Sequence, residues 1–239
     1  MADDPTHLRR PIPWGRLVGE FVVIVTGVLV ALAADSWNDR RLERVEEREY
    51  LERLFASVAR DTTNYVSILS WIDQKEAGLA RLDSVLSSSA ASYDADQLLV
   101  DLTAAPNYGW NVGPIAAEAT FEDLRSSGKL GLIRNPDLRN AILEYYWEAE
   151  TEDRRLMARR TGYPLASYEL VPFRRSAEDM DEYATSADVE ELVARLRRSE
   201  LPSHILAETN RASFIRGSIS RMHDQARMLI TAIGSELRR

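Results

Sequence analysis

The chain has 239 residues, no cysteine, and a formal net charge of −8 at pH 7. The absence of cysteine excludes disulfides, thiolate catalysis and cysteine-ligated metal sites. The acidic balance and the lack of a basic patch argue against a nucleic-acid partner. A chain of this length has room for one ordinary domain besides a membrane anchor.

The N-terminal region contains one long apolar run. Residues 1–13 carry three prolines and no apolar periodicity, so we predict an N-terminal tail there. The segment that follows, LVGEFVVIVTGVLVALAA over residues 17–34, has 18 residues and one charge, Glu20. At 1.5 Å per residue it extends about 27 Å, enough to cross a hydrocarbon core. Trp14 and Trp37 flank it as interface anchors, and we predict a transmembrane helix over residues 14–37.

A cleaved signal peptide is the alternative interpretation of this run, because basic residues also precede it. The run is longer than the usual apolar core of a signal peptide. No small-x-small site precedes a plausible new N-terminus, because charged, helix-forming sequence follows at once from Asp35. These features favour a retained anchor.

Four residues of the predicted membrane helix share one face. At about 100° per residue, Glu20, Gly27, Ala31 and Ala34 fall within about 60° of each other. Gly27 and Ala31 form a small-xxx-small pair, which permits close approach of another helix, and a carboxylate at this depth is costly. We predict that this set, the docking stripe, contacts another transmembrane helix. The alternative is that Glu20 reaches the interface and Gly27 is incidental. The span has no histidine, which argues against haem or chlorophyll binding.

The orientation of the helix is set by competing signals. Three arginines precede the apolar run over 17–34. Residues 35–49, which follow it, carry four arginines and six acidic residues. The count of basic residues slightly favours an outside N-terminus, but long domains translocate regardless of charge. We therefore expect a cytoplasmic N-terminus and a C-terminal domain on the far side.

The helical pattern continues beyond the membrane. From Asn38 to about Ser87 there is no proline, Gly78 is the only glycine, and apolar residues recur at helical spacing. We predict an unbroken helix past Trp37 to beyond Phe55. The Arg- and Glu-rich stretch over 40–60 is typical of a solvated helix face, and a coiled coil is disfavoured because strict heptads are not sustained.

The middle of the chain alternates short helices and loops. After a loop over 87–95, Asp94 is placed to cap a short helix that ends near Ala105. Residues 106–114 hold two Pro, two Gly and two Asn, which predicts a loop. Its Tyr108 and Trp110 form either a partner-binding surface or a segment that folds back on the domain.

The C-terminal half is predicted to be helical with one long interruption. The helical pattern returns from Ile115 to Leu124, and Gly128 suits a helix C-terminus. Asn135 and Pro136 open a helix that we expect to end near Arg160. Residues 163–186 have a loop-like composition.

Two further helices are predicted, over 187–198 and from 202 or 203 to near 236. No stretch alternates in the strand manner. We therefore predict an all-α protein in which the transmembrane helix continues into an extramembrane domain of about six helices over 38–239. The predicted core comprises Leu54, Phe55, Val58, Ile72, Leu124, Leu138, Ile142, Ile215, Ile219 and Leu229.

Two blocks of the sequence resemble a bacterial single-pass membrane family of unknown function. The first block runs from Gly19-Glu20 through Gly27 and Ala31-Leu32 to Trp37-Asn38, and the second covers FEDLRSSGKL from Phe121 with NPDLR from Asn135. The blocks cover about a third of the chain, and the match departs at residues 33–35. The resemblance implies a membrane anchor followed by a helical domain, and it implies no activity. We expect the anchor to lie in the bacterial inner membrane and, from the orientation argued above, the domain to be periplasmic.

Recognisable catalytic patterns are missing from the sequence. There is no HExxH, P-loop, GxSxG or dinucleotide glycine pattern. His204 and His223 fall about 28 Å apart on the last predicted helix, so they cannot share a metal there. The acidic residues are scattered over helical faces, where solvation is expected. We predict no catalytic, cofactor or metal site.

Three classes of function remain. The first is an accessory subunit that docks on and stabilises a larger membrane complex, such as an energy-transducing one, with the lipid bilayer and transmembrane helices as partners. The second is a bitopic sensor whose helical domain binds a ligand or partner. The third is an envelope hydrolase with an unrecognised site. The docking stripe favours the first class, and the sequence does not name the partner complex.

Overall fold

The computed structural model describes residues 14–88, 93–104, 115–170 and 186–239. These residues form α1 (Trp14–Ser87), α2 (Ala95–Ala104), α3 (Ala119–Ser126), α4 (Pro136–Ala158), α5 (Tyr163–Leu170), α6 (Ser186–Arg198) and α7 (Leu201–Leu237). A short 3₁₀-helix, Lys129–Leu132, lies between α3 and α4. No strand occurs within the described ranges, and the all-α prediction is confirmed.

Helix α1 is continuous over 74 residues. The prediction of an unbroken helix past Trp37 to beyond Phe55 is therefore confirmed. The physical reason is local, because proline is absent from the helix and apolar residues keep helical spacing throughout.

Capping residues fix the ends of the middle helices as predicted. The Asn135 side-chain oxygen accepts hydrogen bonds from the backbone N–H groups of Asp137 (3.1 Å) and Leu138 (3.3 Å), which caps α4. The amide nitrogen of Asn135 also donates to Glu236 Oε2 over 2.7 Å, so the start of α4 is joined to the end of α7. Gly128 has φ +72°, a left-handed conformation that glycine adopts without steric cost.

Two boundaries differ from the prediction. Helix α3 begins at Ala119, and residues 115–118 before it are not helical. The loop predicted over 163–186 is wrong at its start, because residues 163–170 form α5. Pro164 lies at the second position of α5, where a missing N–H costs no helical hydrogen bond, and buried Tyr163 anchors the helix by packing.

The chain divides into two units between Glu49 and Tyr50. The first unit holds the N-terminal part of α1, and the second, which we call the bundle, holds the rest of α1 and all later helices. Within the bundle the buried apolar residues form two separate clusters.

The large core joins α1, α3, α4 and α7. It comprises Tyr50, Leu51, Leu54, Val58, Tyr65, Ile68, Ile72, Ile115, Ala116, Phe121, Leu124, Ile133, Leu138, Ile142, Tyr145, Tyr146, Ala149, Leu156, Ala212, Ile215, Ile219, Met222, Ala226, Leu229 and Ile233. All predicted core residues are buried in it except Phe55, which is partly buried against it. The prediction of one buried face for these helices is thus confirmed.

The small core joins the end of α1 to α2, α5, α6 and the start of α7. It comprises Leu79, Leu82, Val85, Leu98, Leu102, Tyr163, Val193, Leu196, Leu201 and Ile205. Its ten buried residues compare with twenty-five in the large core, so less apolar burial stabilises it.

Candidate functional site

The apolar segment of α1 is exposed along its length. Of the helices in the described part of the chain, only α1 has a stretch long and apolar enough to cross a membrane, and none of that stretch is buried by the protein. Large side chains such as Phe21, Val23 and Ile24 are exposed to 67%, 72% and 64%. By length and composition this segment is a candidate membrane span, and a signal sequence near an N-terminus has the same properties.

All four residues of the docking stripe lie on this helix. Glu20, Gly27, Ala31 and Ala34 are exposed, and one face of a regular helix carries them. A Cβ built on Gly27 has no atom within 4 Å, so the backbone is open to close approach at this point. The stripe can therefore accept another helix at short axial separation.

The structure describes the side chains of only some of the aromatic residues that the sequence singled out. Trp37 is 65% exposed on α1. Trp14 is the first residue of α1, and its side chain lies outside the described part of the chain. Tyr108 and Trp110, the predicted partner loop, lie outside the described residues, as does the tail over 1–13.

Between the two cores lies a buried ionic group that the sequence analysis missed. Lys75 of α1 forms an ion pair with Glu208 of α7, and their side chains are only 2% and 0% exposed. Glu208 also accepts hydrogen bonds from the Thr161 hydroxyl and from Arg211 Nη1 (3.3 Å). We call Lys75, Thr161, Glu208 and Arg211 the polar layer. Burial lowers the pKa of Lys75, and the neighbouring Glu208 offsets only part of that shift.

A second buried polar group lies inside the large core. Asp61 accepts hydrogen bonds from the Tyr145 hydroxyl (2.9 Å) and from the backbone N–H of Ala117 (3.0 Å). The hydroxyls of Tyr65 and Tyr145 are 2.9 Å apart. Burial raises the pKa of Asp61 despite these hydrogen bonds. The group joins α1 to α4 and to the segment before α3.

A third buried carboxylate, Glu152 of α4, accepts from Arg155 Nη1 (2.7 Å) and Arg221 Nη2 (3.0 Å) at Oε1. Burial alone would raise the pKa of Glu152, but hydrogen bonds from Ser218, Arg155 and Arg221 outweigh it and lower the pKa. The prediction that the acidic residues lie on solvated faces is wrong for Asp61, Asp101, Glu152 and Glu208, which are buried.

Helical spacing carried the signal for these buried charges, because Asp61 falls between Val58 and Tyr65 and Glu152 between Ala149 and Leu156 in the apolar stripes of their helices. Lys75 follows Ile72 and precedes Leu79 in the apolar stripe of α1, and Glu208 falls between Ile205 and Ala212 in that of α7. A charge at a stripe position predicts burial with a partner, although it does not identify that partner.

The described residues contain no group of three or more His, Cys, Asp or Glu side chains that could hold a metal ion. His223 lies edge-on to Tyr65, with ring centroids 6.5 Å apart, and its Nδ1 is 4.0 Å from Asp224. His204 packs over Gly162, at the junction of α4 and α5. These contacts give each histidine a packing role.

A cleft of about 200 Å³ opens between the end of α1 and α2. Arg81 and Asp101 line it, joined by two hydrogen bonds of 2.7 and 2.6 Å, and Gln97 donates to the same carboxylate. Tyr93 and Leu98 add an aromatic and an aliphatic wall. The cleft is thus partly polar, and the carboxylate of Asp101 already accepts three hydrogen bonds.

Comparison with protein-family models, with curated proteins and with solved structures gave no match to this chain.

Proposed function

We propose that this protein is a single-pass membrane protein that acts by contact rather than catalysis, as an accessory subunit that docks on and stabilises a larger membrane complex. The observation that carries the proposal is the complete exposure of the apolar segment of α1. Lipid would cover most of its circumference, and the transmembrane helices of the complex would cover the docking stripe.

The energetics of insertion support the membrane part of the proposal. Residues 17–34 include eleven Leu, Ile, Val and Phe side chains. At roughly 0.3–0.6 kcal/mol each they favour insertion by about 3–7 kcal/mol in total. A single acidic side chain costs about 2.5–3.5 kcal/mol at the centre of a span and less towards its end. Glu20 is the fourth residue of this run, so insertion remains favourable.

The geometry of the stripe supports the docking part. Small side chains at Gly27, Ala31 and Ala34 let two helix backbones approach closely, and van der Waals packing drives association where lipid removes the hydrophobic effect. Glu20 on the same face would select a partner that offers a hydrogen-bond donor or a cation at that depth.

The proposal also covers the membrane in which the protein lies and its orientation there. The resemblance of the Gly19–Asn38 segment to bacterial single-pass proteins supports an inner-membrane location. The translocation of long domains regardless of charge supports a cytoplasmic N-terminus and a periplasmic bundle. The partner complex could belong to the energy-transducing machinery of that membrane.

The test is the double substitution Gly27→Leu/Ala31→Leu, which fills the stripe while keeping the helix apolar. Its matched control is Val22→Leu/Ala33→Leu, because those residues lie about 150° away on the helix and about 20° from each other. Each full-length protein is extracted in mild detergent and sized by native electrophoresis, and membrane integration is checked by carbonate resistance.

The wild type and the control should migrate in a complex that contains other membrane proteins, whereas Gly27→Leu/Ala31→Leu should be membrane-integrated but monomeric. Unchanged migration of the stripe variant would show that docking does not use this face. A wild type that is monomeric, or that associates only with itself, would contradict the accessory-subunit role.

The alternative is a bitopic sensor, and the cleft between α1 and α2 favours it because it offers Arg81, Gln97 and Tyr93 to a small ligand. A sensor ligand should raise the melting temperature of the bundle by mass action. A screen of small anionic and aromatic metabolites against the wild type and Arg81→Ala discriminates the two accounts. A ligand whose effect disappears in Arg81→Ala supports the sensor.

A further inference from the structure

Three chain segments that pass between the two cores within the described residues are polar at the same level. Helix α1 passes from Ile72 of the large core to Leu79 of the small core through Lys75. Helix α7 passes from Ile205 to Ala212 through Glu208. The apolar stripes of both helices are therefore interrupted by the two members of one ion pair.

The third crossing is the junction of α4 and α5. Leu156 belongs to the large core and Tyr163 to the small core, and the chain between Arg159 and Thr161 is not helical. At this junction the carbonyl of Arg159 accepts from Arg211 Nε over 2.8 Å, and the Thr161 hydroxyl contacts Glu208. The break in the helix thus coincides with the polar layer.

A buried ion pair does not join two cores as firmly as apolar packing does. Taking both charges out of water carries a desolvation cost that their attraction repays only in part, so replacement by well-packed apolar residues is often stabilising. The small core also buries fewer apolar side chains than the large core. Together these features place the weakest plane of the bundle at the polar layer.

We propose that the polar layer is a hinge plane at which the small-core elements open together as one unit while the large core stays folded. The opening unit comprises the end of α1 beyond Lys75, α2, α5, α6 and the start of α7 before Glu208. Such sub-global opening units are common where a subset of elements has its own small core.

Hydrogen exchange of the full-length protein in detergent tests the proposal. Backbone amides over 79–85, 98–102, 193–196 and 205–208 should share one opening equilibrium with a common urea dependence. They should exchange at least tenfold faster than amides over 58–72 and 215–229. Protection that declines gradually towards each helix end would indicate independent fraying, and equal protection of both cores would indicate a single unit. Either result would overturn the proposal.

An apolar replacement of the ion pair provides the second measurement. Lys75→Met/Glu208→Leu should slow small-core exchange about tenfold or more, because the two cores become continuous. The surface pair Glu150 and Arg154, 3.6 Å apart and more than 60% exposed, offers the matched control Glu150→Leu/Arg154→Met, which should leave exchange unchanged. Unchanged small-core exchange in the first variant, or an equal effect in both, would contradict the hinge plane. The wild-type pattern decides the question alone if the variant does not fold.

Discussion

Tyr145 donates a hydrogen bond of 2.9 Å to Oδ2 of Asp61, and both residues are almost completely buried. Because the single hydroxyl proton of Tyr145 is committed to the carboxylate, the 2.9 Å contact between the two tyrosine hydroxyls must be donated by Tyr65. The result is a directed chain from Tyr65 through Tyr145 to Asp61. These two hydrogen bonds join α1 to α4 within the large core.

Removing the hydroxyl of Tyr145, in the middle of this hydrogen-bond chain, should destabilise the bundle more than removing the hydroxyl of Tyr65 at its end. Tyr145→Phe leaves a buried carboxylate without one of its donors and should lower the free energy of unfolding by about 1.5–3 kcal/mol. Tyr65→Phe removes the same atom but leaves no charged group short of a donor, so about 0.5–1.5 kcal/mol is expected. Chemical denaturation of both variants measures the difference, and a larger loss for Tyr65→Phe would refute the direction of the chain.

The buried charge of Asp61 should make stability depend on pH with a defined sign. Burial raises the pKa of Asp61 above its ordinary value of 3.8, so the folded state binds the proton more tightly than the unfolded state. The contribution of Asp61 to the free energy of unfolding therefore falls as pH rises from 3.8 through the folded pKa, and is constant above it.

Asp61→Asn isolates this contribution because the amide does not titrate. The difference in free energy of unfolding, wild type minus variant, should decrease with rising pH across that window. Denaturation at a series of pH values measures it. An increase with pH would mean that the hydrogen bonds from Tyr145 and Ala117 favour the carboxylate by more than burial disfavours it.

A side chain at position 162 would meet the imidazole ring of His204. A Cβ at this position would lie 2.7 Å from His204 Cε1, which is closer than van der Waals contact allows. Gly162→Ala should lower the free energy of unfolding by about 1–3 kcal/mol. The loss should be largely relieved in Gly162→Ala/His204→Ala, giving a coupling energy in the double-mutant cycle.

The control for this cycle is Gly217→Ala in α7. Its Cβ would meet only Arg221 Nη1, at an ordinary 3.7 Å. Alanine in place of a mid-helix glycine should raise the free energy of unfolding by about 0.5–1 kcal/mol. Additive effects of Gly162→Ala and His204→Ala would show that the two residues do not compete for space.

Local signals in the sequence predict most helix boundaries. The course of α1 follows from the absence of proline and the apolar spacing beyond Asn38, and the start of α4 follows from the Asn135-Pro136 cap. Asp94 lies next to α2 and accepts from the Gln97 backbone N–H over 3.1 Å, in keeping with its predicted capping role. Helix α5 was missed because Gly162 and Pro164 suggested an interruption, whereas burial of Tyr163 holds the segment in place.

Long-range partners explain what the sequence did not predict. Lys75 and Glu208 are distant in the chain, so the stripe position of each predicts its burial but does not identify its partner. Only the packing of α1 against α7 brings them together and separates the two cores. The docking stripe is different in kind, since helical periodicity alone places its residues on one face.

The central claim is that α1 crosses the membrane. Labelling single introduced cysteines from each side of the membrane tests this claim most directly, and no native cysteine competes for the label. Cysteine is placed at Asp3, Val25 or Thr63 in turn, and intact and inverted membrane vesicles are treated with an impermeant maleimide. We expect the cysteine at position 3 to react only from the cytoplasmic side and the cysteine at position 63 only from the opposite side. The cysteine at position 25 should react from neither side until detergent is added. Reaction of Asp3 and Thr63 from the same side, or of Val25 in intact vesicles, would contradict a membrane-spanning α1.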